Sequence, residues 1–76
     1  MNKLRRKELK AIYELISEAK DRLEAVKDEE EEYKDNMPEN LQGSERYERA
    51  DEIVDNLDEA IDELDGILEA IEEAGQ

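Results

Sequence analysis

A chain of seventy-six residues makes one domain at most. At that length the cost of ordering each residue, about 1.5 kcal/mol, nearly cancels a burial gain of about 25 cal/mol per Å², so self-association would help it. The absence of Cys and His excludes disulfides, thiolate chemistry, zinc sites of the usual kind and the imidazole proton switch, and a net charge of −14 repels nucleic acid and membranes while favouring basic partners.

The first segment, Met1 to Ala11, is basic but lacks the apolar run of a signal peptide, and nowhere do the eighteen or so consecutive apolar residues of a membrane span occur. A cytoplasmic location is the expectation, with no membrane partner. From Asn2 to Lys34 apolar residues recur alternately three and four apart, which predicts a helix with a heptad repeat. Leu9, Ile16 and Leu23 take position a, while Ile12, Ala19, Val26 and Tyr33 take position d. Glu30 falls on an a position near the helix end, where solvation, fraying or a cation would accommodate it.

The segment Asp35 to Gly43 breaks the period. Pro38 cannot continue the helix and biases Met37 to extended backbone. Residues Pro38 to Gln42 suit one helical turn, with Met37 and Leu41 over the end of the core. Ser44 is then a good N-cap, and Glu45 and Glu48 sit near the positive end of a second helix running to Ala74. The reciprocal capping box fails because Tyr47 stands where Glu or Gln is needed. In this helix Tyr47, Val54, Ile61 and Leu68 take a, Ala50, Leu57, Leu64 and Ile71 take d, and Gly75 marks the stop.

Folding the second helix back on the first opposes a to d in one register over the whole length. Leu9 meets Ile71, Ile12 meets Leu68, Ile16 meets Leu64, and so on to Tyr33 with Tyr47, each pair of numbers summing to 80. The charges agree. The e row of the first helix holds Arg6, Lys20, Lys27 and Lys34, with Tyr13 as the exception, and faces Asp51, Asp58, Asp65 and Glu72. Exposed pairs of this kind choose orientation and register more than they stabilise. The fold class that follows is all-α, an antiparallel two-helix coiled-coil hairpin in a single domain spanning 1–76, with helices over 2–34 and 44–74 and a loop over 35–43.

On the g side the second helix carries Ile53, Ala60, Ile67 and Ala74, so its apolar face is wider than a two-stranded seam needs. The matching side of the first helix carries Leu4, Ala11, Leu15 and Ala25, interrupted by Glu8, Arg22 and Glu29. A second copy of the hairpin would cover this face, giving a homodimeric four-helix bundle in which Leu4, Ala11, Leu15, Ile53, Ala60, Ile67 and Ala74 carry the self-association. A helix or groove of another protein is the alternative cover.

No motif for catalysis is present. Ser44 has no His, the tyrosines lie on or beside the core stripe, and Gly43, Gly66 and Gly75 form no phosphate loop, so the chain is expected not to be an enzyme. Neither a metal nor a cofactor is expected. The five acids Asp28 to Glu32 circle the helix axis and cannot converge on one ion, and carboxylate pairs such as Asp55 with Glu59 point outward. The basic start, Lys3, Arg5, Arg6, Lys7 and Lys10, is expected to lie beside Asp65, Glu69, Glu72 and Glu73 and to be largely neutralised there, without contacting nucleic acid.

The acidic face is the most informative surface. Glu48, Asp51, Asp55, Asp58, Asp62, Asp65, Glu69 and Glu72 form two adjacent rows with one carboxylate per about 5 Å of axis. A DNA strand carries one phosphate per about 3.4 Å, so a protein that binds nucleic acid could take this face for its ligand. Partial pairing with the lysine row is the plainer reading of the same residues. The run Asn36-Met37-Pro38-Glu39-Asn40-Leu41-Gln42-Gly43-Ser44-Glu45-Arg46, between a Glu-rich helix and a helix of Asp, Glu, Ala, Ile and Leu, resembles small acidic helical-hairpin proteins of unknown function encoded by phages and prophages of Gram-positive bacteria. The resemblance implies a setting in a bacterial host cell, since small acidic phage proteins include inhibitors of host defence, some similar to DNA in charge. The functional expectation is a non-enzymatic module that binds a basic surface on a nucleic-acid-handling or defence protein. The alternative is a structural, assembly or antitoxin-like coiled coil that docks through its apolar g side.

Overall fold

The computed structural model describes residues 1–76 and consists of helix α1 (Lys3–Asp35), one 3-10 turn (Glu39–Leu41) and helix α2 (Glu45–Ala74). The helices pack antiparallel in a rod of 60 × 14 × 12 Å. The all-α hairpin read from the sequence is therefore the fold, with helix ends within a residue of those expected.

Local chemistry explains each boundary. The Asn2 side-chain oxygen accepts a hydrogen bond from the Arg5 backbone N–H at 2.8 Å, so Asn2 caps α1 and stands just outside it. At the other end Asn36 N–H donates to Glu32 O and Met37 N–H to Lys34 O before Pro38 stops the helix. The turn closes with Leu41 N–H donating to Pro38 O at 2.8 Å and Ser44 N–H to Leu41 O at 3.0 Å. Between them Gly43 has φ +87°, a backbone conformation that L side chains avoid. Ser44 Oγ then accepts from Tyr47 N–H at 3.3 Å, the cap expected of it. α2 ends at Gly75 with right-handed backbone, its N–H donating to Ile71 O, so this helix stops without a left-handed glycine turn.

The core is thin and one-sided. Ala50, Val54, Ile61 and Leu68 of α2 are buried together with Met37, whereas α1 has no fully buried residue. Leu9, Ile16 and Leu23 on the a row of α1 are half-buried, but of its d row only Ile12 is, and Ala19, Val26 and Tyr33 are exposed. Two of the core pairings expected from the register, Ala19 with Ile61 and Val26 with Val54, are therefore covered on the α2 side only. Two helices enclose one seam, and a residue on the flank of that seam stays open until another layer covers it. Met37 caps the core end as expected, while Leu41 remains exposed.

Two glycines give opposite expectations. A Cβ on either Gly43 or Gly66 meets nothing within 4 Å, so only backbone conformation decides the outcome. Gly66→Ala, in mid-helix, should stabilise by about 0.5–1 kcal/mol, and Gly43→Ala, at positive φ, should destabilise by about 1–2 kcal/mol, both read from urea denaturation at one chain concentration.

Candidate functional site

Three ion pairs join the helices along one edge, and all three follow the heptad. Lys34 Nζ lies 3.0 Å from Asp51 Oδ1, Lys27 Nζ lies 2.7 Å from Asp58 Oδ1, and Lys20 pairs with Asp65. Lys20 and Lys27 also reach Glu24 and Glu31 one turn along α1, at 3.7 and 3.9 Å. Lys34 sits 5.8 Å from the centre of the Tyr47 ring, a cation–π contact at the loop end. The lysine stems cover the seam while their ammonium groups stay wet, as long amphipathic side chains do. In each lysine the hydrogen bond to its aspartate raises the pKa above the usual 10.5, against a smaller opposing effect of desolvation.

This clasp divides the expected partner-binding residues into two groups. Asp51, Asp58 and Asp65 are held by lysines of the same chain and are part of the hairpin. Glu48, Asp55, Asp62 and Glu69, one heptad apart on the neighbouring b row, are exposed and form no ion pair, and Glu72 is likewise unpaired. Glu45, Glu59, Glu63 and Glu73 extend that free acidic surface around the outside of α2. Periodicity alone did not single these out. The signal was in the sequence all the same, because no Lys or Arg follows Arg49.

The basic start behaves differently from expectation. Lys3, Arg5, Arg6, Lys7 and Lys10 are exposed, and none forms an ion pair with Asp65, Glu69, Glu72 or Glu73. Tyr13 interrupts the lysine row at this end, and an open groove between Arg6, Leu9, Tyr13, Ile71 and Glu72 takes the place of a fourth clasp. Leu9 and Ile71 face each other across it, as the register requires.

The opposite edge of the hairpin has no clasp and is apolar. Leu4 is 78%, Leu15 66% and Ile67 46% exposed, Ala11 and Ala74 are exposed, and Ile53 and Ala60 are half-buried. Ala19, Val26 and Tyr33, expected in the core, join this edge. Leu15, Ala19, Leu23 and Val26 line a shallow groove with Glu18 and Arg22, which pair with each other at 3.0 Å. No group of three or more acidic side chains converges as a metal site requires. No helix is long and apolar enough to cross a membrane.

No protein family, curated protein or solved structure matches the chain. Its fold and surfaces define a two-helix coiled-coil hairpin with one clasped edge, one open apolar edge and an acidic outer face on α2.

The clasp makes a pH prediction with a definite sign. Because the lysine values are raised on folding, the stabilisation is fully present below about pH 10.5 and is lost as pH rises through the raised values. The difference in melting temperature between the native chain and Lys27→Met should be constant from neutral pH to about pH 10 and vanish above the raised lysine value, when followed by circular dichroism.

Proposed function

We propose that this chain is a non-enzymatic protein-binding module whose α2 outer face engages a basic protein surface. The observation that supports it is a charge excess that folding leaves unused. After the clasp is made, every acidic side chain on α2 beyond Glu52 except Asp58 and Asp65 is unpaired, and no cation follows Arg49 to pair with them.

The density of that charge suits a surface that receives a phosphate chain. From Asp55 to Glu73 the unpaired carboxylates recur about once per 4 Å of helix axis, against one phosphate per 3.4 Å or so along a DNA strand. With the resemblance to phage and prophage hairpins, the proposed partner is a bacterial nucleic-acid-handling or defence protein, inhibited through its basic groove. The b row supplies the contacts, and the clasp residues Asp51, Asp58 and Asp65 hold the face in place.

A second reading, assembly through the apolar edge, is favoured by the exposure of Leu15, Val26 and Ile67. The two readings separate under salt, because exposed charges are screened beyond a Debye length of about 8 Å at physiological ionic strength and apolar contacts are not. Partners captured from bacterial lysate through the acidic face should be released by a high-salt wash. Asp55→Asn/Asp62→Asn/Glu69→Gln should weaken their binding about tenfold or more at low salt with helicity unchanged. Capture that is equal for the triple variant would overturn the acidic-face reading, and capture that survives salt would favour assembly.

A further inference from the structure

We infer that the open apolar edge is covered by a second copy of this chain, packed in the opposite sense, with α1 against α1 and α2 against α2. This surface lies on the other side of the hairpin from the clasp, so the inference stands or falls separately from the acidic-face proposal.

Area identifies the occupant. A compact monomer of 8.9 kDa exposes about 4,800 Å², whereas this chain exposes 5983 Å². That excess of about 1,200 Å² reflects the elongated rod of 60 × 14 × 12 Å, and an interface that removed it from each of two copies would total about 2,400 Å², within the range of obligate homodimers, about 2,000–5,000 Å². The exposed apolar residues Leu4, Leu15 and Val26 of α1 and Ile67 of α2 lie on one edge and on both helices, so a flat two-helix layer fits that edge better than a single docked helix.

Position then identifies the symmetry. In the register of the hairpin Ala60 lies level with Lys20. Ile53 and Ile67 stand seven residues to either side of Ala60, and Glu18 and Arg22 stand two residues to either side of Lys20. A two-fold axis crossing the rod at that level brings Ile53 onto Ile67 of the copy twice over, with the small Ala60 at the crossing. It also sets Arg22 beside Glu18 of the copy, joining two internal ion pairs into one four-membered network. Leu15 and Val26 exchange places across the same axis to within about one residue.

Charge decides between this arrangement and its rival. A two-fold along the rod, with both loops at one end, buries the same apolar residues, so packing alone does not distinguish them. In that arrangement the two Asp28–Glu32 runs lie at the same end and repel. In the opposed arrangement Lys10 lies level with Glu30 of the copy, Lys7 one residue beyond the end of its acidic run and Arg5 level with its Asp35, and none of these basic residues has an ion-pair partner within its own hairpin. Like charges at one end oppose association, and complementary ends favour it.

The test uses the full chain at micromolar concentration. Sedimentation equilibrium should give twice the chain mass. The chain has no Cys, so Asn40→Cys in the exposed loop carries a single spin label without disturbing the fold. Loops at opposite ends of the bundle place the two labels about 60 Å apart, the length of the rod, and loops at one end place them within about 25 Å. A dimer with the long distance supports the inference. A monomer overturns the second copy as occupant, including the case in which a different protein covers the edge, and a dimer with the short distance overturns the opposed sense.

Discussion

Lys20, Lys27 and Lys34 reach across one edge of the hairpin to Asp65, Asp58 and Asp51, and the remaining architecture depends on that edge being closed. The three pairs sit at equal heptad intervals, so a slip of one residue would break all of them together; a slip of one heptad toward the loop would set Lys34 against Ser44, whereas a slip the other way would keep each lysine opposite an acid and is opposed by the apolar seam instead. Individually such exposed pairs contribute little. As a set they select register and direction, and they close only the e side, which leaves the g side open. The sidedness of the molecule is thus a consequence of where the lysines fall on the helical wheel.

A narrow seam on a broad face follows. α2 presents an apolar surface three positions wide, while α1 offers one good row, Leu9, Ile16 and Leu23, and carries Glu30 where the row should continue. The buried set, Ala50, Val54, Ile61 and Leu68, therefore belongs to α2, and the d row of α1 is left on the flank. The acidic b row lies on the outside of α2, away from both the seam and the apolar edge. One helix thus serves three surfaces, with its a and d rows in the core, its g row at the edge and its b row facing water, and none competes with another for the same side chain.

Much of this was legible in the sequence because a heptad repeat carries its own geometry. The spacing of Leu9 to Tyr33 and Tyr47 to Ile71 gives two helices, Pro38 and Gly43 give the turn, and Ser44 gives the cap that the structure shows. The register also followed, and the lysine pairs agree with it. Less legible was the share each side chain takes of a seam. Ala19, Val26 and Tyr33 have core spacing but lie exposed, since periodicity reports the face of a helix and not how far a single neighbour can cover it. Asn2 was read as part of α1 because its capping bond to Arg5 depends on a turn that the apolar pattern does not mark. The basic start was expected to be neutralised by proximity, yet its side chains stay in water, where exposed charges gain little from being pinned to one another.

The two helices differ in how far their acids are paired within the helix. α1 pairs three of its acids locally, Glu18 with Arg22, Glu24 with Lys20 and Glu31 with Lys27, each four residues apart, although its loop end also sets Glu24 before Asp28, Asp28 before Glu32 and Glu31 before Asp35. α2 has one local ion pair, Arg49 with Glu52, and beyond it sets Asp55 four residues before Glu59, Asp58 before Asp62, Glu59 before Glu63 and Glu69 before Glu73 with no cation among them, each an unfavourable pair in an isolated helix by about 0.2–0.5 kcal/mol. The repulsion is moderated by spacing along the b row, where successive carboxylates lie about 10.5 Å apart, beyond the Debye length of about 8 Å. The pattern therefore mildly destabilises the free chain and leaves a continuous row of unpaired negative charge facing water.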